Sequence, residues 1–416
     1  MERLGETFEV PLDIPGVKIE KVDINKRGEF IITVKSTVEG TRCHRCGRKI
    51  TKAHGHGRVL TLRHLSILGR TSYLRLRPAR YQCLFCRGKP TTTQKLPWYD
   101  PRSPHTKAYE EHILFGLVNS TVADVSIKEN LGYEAVMGII DRHIGTEVDW
   151  KAFEQLGVLG IDEISLKKGH KDFVTIVTSR VGEEIRLLAV LEGRKKETVK
   201  AFFSTGPQGL RTTITAICSD MYEGYINAAK EVFGRAIRIV TDRFHVAKLY
   251  RKGLDELRKK ELKRLKKELP EEDYKELKGA MWVLRKDQDE LSQEQLAVLA
   301  CLFICSPLLK MAYEYCQELT AIFDERLSKK EAITKIKKWK KRIQKSDLTC
   351  FDDFLTTLGN HMTEIVNYFE GRFNGGFVEG LNNKIKVIKR RCYGILNVDH
   401  LFQRIHLDLV GYSLFA

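Results

Sequence analysis

Residues 157–166 read GVLGIDEISL. Val158, Leu159 and Ile161 form a short apolar run, Asp162 and Glu163 interrupt it, and Ile164 and Leu166 resume it. An apolar run bounded by glycine predicts a buried strand of an α/β sheet. A carboxylate set into such a strand is costly to desolvate unless a partner or a metal ion meets it. Asp162 is therefore the first candidate for chemistry. Glu163 falls on the opposite face of a regular strand and is expected to find a local salt bridge.

Downstream, DFVTIVTSR and IRLLAVLEG predict two further strands, joined by short polar turns into an antiparallel meander. A helix is expected over 195–205, then the strand TITAICSD ending at Asp220, a helix from Tyr222 that buries Ile226 and Ala229, and the strand in AIRIVTDRFHV leading to Asp242. Asp220 then sits at a strand's carboxyl end, where open α/β sheets place their ligand sites. Asp242 and His245 are candidates either to support metal ligands from behind or to form a buried hydrogen-bonded pair.

A long helical block follows. From Leu249 to Leu269 the chain is dense in Lys, Arg and Glu, with Leu254, Leu257, Leu262, Leu265 and Leu269 on one stripe, and Pro270 ends it. Trp282 lies among Met281, Val283 and Leu284, which predicts ordinary core packing; the competing use is stacking on an unpaired base. Residues 292–345 are again helical, with Pro307 at a boundary. Beyond the block, FNGGFVEGLNNKIKVIKRR turns at Gly375 and Gly376 into a helix whose Glu379, Asn382, Asn383 and Lys386 share a face. Lys384, Lys389, Arg390 and Arg391 extend a basic surface. Asp162, Asp220 and Glu379 offer hard oxygen ligands for one or two divalent ions, the chemistry that phosphodiester cleavage uses.

Upstream, Cys43 and Cys46 form one C-x2-C pair and Cys83 and Cys86 another. Each pair turns two thiolates onto one ion, and four complete a tetrahedral zinc site. Between them, Tyr73, Leu74 and Leu76 alternate with Arg75, Arg77 and Arg80, a strand with one basic side suited to phosphates. Residues 105–145 predict helices, AYEEHILFGLVNS and then two short ones meeting at Gly132, with Val136, Ile139 and Ile140 buried. Such a pair is a helix-turn-helix or simple helical packing.

The chain has 416 residues, 71 Lys+Arg against 54 Asp+Glu, and a formal net charge of +17, which favours a polyanionic partner. The amino terminus lacks a basic region followed by an apolar core, and no long uncharged apolar span occurs. A cytoplasmic, DNA- or nucleoid-associated protein without membrane contact is expected, its cysteines serving metal rather than disulfides.

GIDEISLKKGHKDFVTIV, CSDMYEGY, TDRFHVAKL and GFVEGLNNKIKVIKRRCYG closely resemble the DDE transposases of the ISL3 family, found in bacterial and archaeal insertion sequences. The cysteine pairs, with RHLSILGRTSYLRLRPARYQC leading into the second, resemble that family's zinc finger; residues 105–145 resemble its helix-turn-helix, and WVLRKDQDELSQEQ a segment of its helical insertion. One departure is that Cys86 runs into RGKPTTTQ rather than an acidic ending.

The resemblance implies a zinc-binding DNA-recognition domain over 1–100, a helix-turn-helix domain and linker over 101–150, and an RNase H-like catalytic domain over 151–416 with a mainly helical insertion at about 246–365. It implies Asp162, Asp220 and Glu379 as a DDE triad using Mg2+ or Mn2+, with structural Zn2+ on the cysteines. Asn382, Asn383, Lys386, Lys389 and Arg390 would contact the DNA end, as would Arg75, Arg77 and Arg80. The implied activity is binding of terminal inverted repeats, metal-dependent cleavage and 3′-hydroxyl attack on target DNA, by a homodimer or higher homo-oligomer on paired ends. The competing readings are a transposase-derived regulator without strand transfer and a structure-selective nuclease.

Overall fold

A computed structural model describes residues 11–167, 172–373 and 376–416, apart from the side chains of Val378 and Glu379. Two compact units make up the chain, Met1–Ile144 with Leu407–Ala416, and Gly145–His406.

In the first unit the strands are β1 (Val17–Ile24), β2 (Phe30–Ser36), β3 (Thr41–Arg42), β4 (Lys49–Ile50), β5 (Ala53–His56), β6 (Leu60–Ile67), β7 (Arg70–Leu76), β8 (Ala79–Gln82) and β9 (Thr91–Thr93). One sheet has the order β1-β2-β7-β6 and a second the order β5-β8-β9. Strict alternation in β7 buries Ser72, Leu74 and Leu76 and turns Tyr73 and Arg75 outward. Leu74 and Leu76 join Ile32, Val34, Leu62, Leu96 and Trp98 in one apolar cluster. Each fully buried aliphatic side chain contributes roughly 1.5–3 kcal/mol there.

Pro78 stops β7 from continuing. Its missing N–H breaks the ladder, and β8 pairs instead with β5 and β9. The single basic strand expected through Arg75, Arg77 and Arg80 is thus divided. Arg75 and Arg77 are exposed, whereas Arg80 lies in the other sheet and donates to Thr91 Oγ1 at 2.5 Å.

Three helices follow, α1 (Lys107–Leu117), α2 (Val122–Lys128) and α3 (Tyr133–His143). Thr106 and Thr121 cap the first two by accepting from Tyr109 N and Asp124 N. Ile113, Leu117, Val125, Val136, Ile139 and Ile140 bury their apolar faces together. Inside this bundle Glu110 accepts hydrogen bonds from Ser103 Oγ and from the Arg142 guanidinium, and pairs with His143 Nε2 at 2.8 Å.

The second unit begins with β10 (Gly157–Ser165), β11 (Phe173–Val181) and β12 (Glu184–Glu192), then α4 (Lys196–Thr205), α5 (Gln208–Arg211), β13 (Ile214–Ser219), α6 (Glu223–Phe233) and β14 (Ile239–Thr241). The sheet order is β12-β11-β10-β13-β14. β10, β11 and β12 run antiparallel, with β11 and β12 joined by the two residues Gly182 and Glu183; β10–β13 and β13–β14 are parallel, each reached through helices. Gly157 opens β10 with φ +60° at a bulge, and a Cβ there would stand 2.4 Å from the Arg180 carbonyl oxygen.

A helical block leaves the sheet after β14. It comprises α7 (Arg243–Glu268), α8 (Glu271–Glu276), α9 (Ala280–Val283), α10 (Gln293–Cys305), α11 (Pro307–Asp324), α12 (Lys329–Ile343), α13 (Asp352–Asn360) and α14 (Met362–Val366). Its core is built on Trp339, which is fully buried, packs edge-on against Phe351 and Phe354, and donates Nε1–H to the Tyr315 carbonyl at 2.9 Å. Pro307 occupies the first turn of α11 behind the Ser306 cap.

Trp282 departs from expectation. Ala280 and Val283 take the buried side of the four-residue α9, and Trp282 is left 61% exposed. The chain ends with α15 (Gly376–Arg391) and α16 (Val398–Phe415). The catalytic region was expected to run to residue 416, but the end of α16, from Leu407, belongs to the first unit, where Asp408 accepts from Asn119 N at 2.9 Å.

Candidate catalytic and metal sites

The sheet register aligns the acids. Gly160 pairs with Cys218 and Cys218 with Val240, all in parallel. Two residues further along each chain stand Asp162, Asp220 and Asp242. Neighbouring strands lie about 4.8 Å apart, so three aspartates occupy equivalent positions side by side.

Their environments separate their roles. Burial pushes the Asp162 carboxyl up to about 6; the Glu163 N–H and the nearby His245 oppose that push, and the Asp220 carboxylate adds to it. Both Asp220 and His245 are thus within electrostatic reach of Asp162. Asp162 Oδ1 accepts from Glu163 N at 2.7 Å, and Oδ2 accepts from the Asn382 amide. Asp220 follows the last residue of β13 and uses Oδ1 to accept from Tyr222 N at 3.0 Å. Asp242 is 8% exposed and caps α7 by accepting from Phe244 N at 3.1 Å. Its backbone N–H donates to Ser219 O at 3.2 Å, which locks the start of α7 beside Asp220. His245 lies in the first turn of that helix and meets the Phe244 ring edge-on. Glu163, on the other face, pairs with Arg194 at 3.2 Å.

Helix α15 supplies the opposite wall. Leu381, Ile385 and Ile388 are buried and hold it in place. Glu379 is on its first turn, and its side chain lies outside the described residues. Asn382, expected to touch DNA, is 4% exposed and bonded to Asp162; its Oδ1 has no hydrogen-bond partner among the described residues. Lys389, also expected on the DNA surface, turns inward and donates to Ser165 O and to Leu166 O at 3.2 Å. Burial lowers the Lys389 pKa. Asn383, Lys386 and Arg390 remain exposed.

Sequence reasoning missed Arg194 and Tyr225. Arg194 lies over the Phe173 and Tyr222 rings while holding Glu163. Tyr225 is buried with its hydroxyl 2.8 Å from Thr175 Oγ1. The i, i+3 spacing of Tyr222 and Tyr225 was the available signal for an aromatic face beneath the site.

In the first unit the sulfur atoms of Cys43, Cys46, Cys83 and Cys86 all lie within 4.8 Å of one another. A zinc–sulfur tetrahedron with bonds of about 2.3 Å has edges of about 3.8 Å, and Cys46 and Cys83 are 3.8 Å apart. The first pair sits in a tight turn closed by Gly47 N to Cys43 O at 2.9 Å, and Cys86 opens a turn closed by Lys89 N to Cys86 O at 3.0 Å. The N–H groups of Cys46 and Arg45 lower the Cys43 thiol to about 6, which favours the thiolate a metal needs. The donor set fits zinc, and the four residues would hold it as a closed structural site.

Residues 39–86 match the zinc-finger of transposase IS204/IS1001/IS1096/IS1165, residues 94–144 match the helix-turn-helix domain of transposase family ISL3, and residues 159–405 match the transposase domain of that family. The chain is 27% identical over 382 residues to the transposase for insertion sequence element IS1001 of Bordetella parapertussis, covering 91% of each. It is 24% identical over 391 residues to the transposase for insertion sequence element IS1557 of Mycobacterium tuberculosis H37Rv, covering 89% of this chain and 86% of that one.

A zinc ribbon and a helix-turn-helix ahead of a transposase domain define an insertion-sequence transposase, a class that acts on DNA. The chain belongs to the ISL3 family of transposases. No helix among the described residues is long and apolar enough to cross a membrane.

Proposed function

We propose that residues 151–406, the expected 151–416 less the end of α16, form an RNase H-like DDE domain that cuts DNA at the ends of its element and joins the freed 3′-hydroxyl to target DNA. The sheet order and the inserted helical block support that fold assignment. The observation that carries the reading is the register that brings Asp162 beside Asp220, with Asp162 half-buried and its proton affinity raised. Glu379, three residues before Asn382 on α15, is the third member.

Mg2+ or Mn2+ bound by these carboxylates would supply charge stabilisation at the phosphorus and a more nucleophilic oxygen. Asp162 and Asp220 provide the anionic oxygens, and their neighbours hold them. The Tyr222 and Glu163 N–H groups and the Asn382 amide each occupy one carboxylate oxygen position and so fix the rotamers. In the first step a water oxygen bonds to phosphorus, the bond from phosphorus to the 3′ oxygen breaks, and a 3′-hydroxyl and a 5′-phosphate result. In the second, that 3′-hydroxyl bonds to a target phosphorus and displaces the target's own 3′ oxygen.

The first unit recognises the terminal inverted repeats. Arg75 and Arg77 face solvent for phosphate contact, and Tyr133 at the start of α3 is 52% exposed. Asn383, Lys386 and Arg390 are the exposed α15 residues for the DNA end. Two or more copies act on paired ends, in association with cellular DNA.

A cleavage and strand-transfer assay on labelled DNA carrying the element's own ends, with Mg2+ or Mn2+, tests this. Cleavage at the boundary and joining to target, both lost in Glu379→Ala while end binding survives, is the expected result. Specific binding without cleavage by wild type would assign a regulator instead, and cleavage governed by DNA structure without end preference a nuclease.

A further inference from the structure

Strand β1 closes one edge of the four-stranded sheet in the first unit, and among the described residues no strand pairs with its outer side. Its sequence is VKIEKVDI. A bulge at Glu20 adds one residue between Ile19 and Lys21. As a result Val17, Ile19, Val22 and Ile24 stand opposite Ser36, Val34, Ile32 and Phe30, alternate residues of β2 on one face. Ile32 and Val34 belong to the core of that face, 4% and 2% exposed, whereas Ile19, Val22 and Ile24 are 41%, 51% and 55% exposed. The apolar face thus runs past its cover onto the edge strand. At the start of β1, Leu12, Asp13, Ile14, Pro15, Val17 and Ile19 line a hollow of about 500 Å³.

Such an edge invites a further strand, and proteins that avoid this guard the edge with charge, most often lysine. On β1 the charges are balanced instead: Lys18 and Lys21 are matched by Glu20 and Asp23, in a chain of net charge +17. Lys21 and Asp23 pair with each other at 2.7 Å, but both are exposed, so that pair contributes little and leaves them free to exchange partners.

The order of the residues selects the occupant. Laid antiparallel against a second copy of itself, about a two-fold axis between Glu20 and Lys21, the strand sets Val17 against Ile24, Lys18 against Asp23, Ile19 against Val22 and Glu20 against Lys21. Every apolar residue meets an apolar one and every charge meets its opposite. A slip of one residue in either direction sets Glu20 against Glu20 or Lys21 against Lys21, and apolar residues against charged ones. Directly opposed side chains are about 5 Å apart at Cβ, where opposite charges stabilise a strand pair and like charges destabilise it.

We propose that β1 is the surface through which two copies of this chain pair, joining two four-stranded sheets into one of eight strands across a self-complementary two-fold interface. The partner's Ile24 then lies beside Val17, which lines the hollow, and covers apolar surface that is open in the single chain. A two-fold axis between two DNA-recognising units suits inverted terminal repeats, which are related to each other in the same way. The inference deepens the proposed action of two copies on paired ends and rests on that reading.

Sedimentation velocity of the full-length, zinc-loaded protein without DNA, over about 1–100 µM, reads the pairing. Wild type should form a reversible dimer, since a single pair of eight-residue strands is a small interface. Lys18→Asp places two anions opposite each other and Asp23→Lys two cations, and each should weaken the dimer about tenfold. Mixed in equal amounts, the two variants should pair at least as well as wild type, because both cross-strand contacts are then between opposite charges; that recovery also shows that each variant is folded. Removal of residues 1–10 should leave the dimer intact.

A wild type that stays monomeric over this range, or pairs only after residues 1–10 are removed, would overturn the proposal. So would a mixture no more dimeric than the separate variants. A chain that pairs in this register but does not cut DNA upholds the inference and sinks only the DDE reading; one that cuts while its pairing ignores Lys18 and Asp23 does the reverse.

Discussion

The side-chain amide of Asn382 donates a hydrogen bond to Asp162 Oδ2, tying α15 to β10 across 220 residues of sequence. One oxygen of Asp162 is thereby held by Asn382 and the other by the Glu163 N–H. A carboxylate so fixed presents its remaining lone pairs in one direction. Replacing Asn382 by Ala removes the donor and frees the rotamer without removing a charge. Cleavage by Asn382→Ala should fall roughly 10- to 100-fold, with a higher divalent-ion requirement, the range seen when partners of metal ligands are lost. End binding without added Mg2+ or Mn2+ should be unchanged. Rates measured against Mg2+ and Mn2+ concentration check this, and an unaltered metal dependence would reduce Asn382 to a packing residue.

Glu110 makes the helix-turn-helix bundle acid-sensitive. Burial raises its pKa, but hydrogen bonds from His105, His143, Ser103 and Arg142 outweigh that effect and hold the carboxyl far below the usual range. A carboxyl with a depressed folded-state pKa contributes stability above its unfolded value of about 4.3, and that contribution is lost as pH falls below it. Glu110→Gln should therefore destabilise the bundle at pH 7 by about 3 kcal/mol, as removing one partner of a buried pair does. The gap between wild type and variant should narrow steadily below about pH 4. Thermal melting of both proteins from pH 7 to pH 3 measures it.

The parts of the fold that were legible in the sequence are those fixed by local chemistry. The run at 157–166 reads as a strand because only Asp162, Glu163 and Ser165 break its apolar character, and the cysteine pairs read as a metal site because their spacing allows little else. What local chemistry does not encode is the identity of the neighbour. Helical spacing put Asn382 on a shared face with Glu379, but only the sheet's position reveals that this face meets Asp162 rather than DNA. Arg80 was grouped with Arg75 and Arg77 as one basic side, although Pro78 moves it to another sheet. Trp282 was read from its apolar neighbours, yet successive residues of a helix point about 100° apart, and Val283 took the buried side. The contact of Asp408 with Asn119 spans 289 residues and has no local signal at all.

Loss of the ribbon metal should separate recognition from catalysis. The four sulfurs are drawn from two turns that share few other contacts; Cys43, Ile50, Tyr81 and Cys83 form the whole buried cluster around them. Such a small core depends on its ion. Cys43→Ser should bind less than one equivalent of zinc and lose end-specific DNA binding. Its far-ultraviolet spectrum should change little, because the helices of Gly145–His406 do not draw on this cluster. Zinc analysis alongside gel-shift titration distinguishes this from global unfolding, which would abolish the helical signal as well.

Gly253 tests how the helical block is packed. It lies within α7, where a glycine is about 1 kcal/mol less favourable than alanine, so alanine would be stabilising if propensity decided. Propensity does not decide here, because a Cβ at Gly253 would stand 2.2 Å from the Cys350 carbonyl oxygen. That oxygen belongs to the turn Thr349–Phe351, whose Phe351 is fully buried against Trp339. The obstacle is backbone in a packed core, and it can yield only by moving Phe351. Gly253→Ala should thus destabilise the unit by about 1–3 kcal/mol, as overpacking does. Gly209→Ala in α5, where a Cβ meets nothing within 4 Å, should instead be neutral or stabilising by up to about 1 kcal/mol. Denaturant unfolding of the two variants side by side provides the check, since close packing predicts opposite signs and propensity alone predicts the same sign.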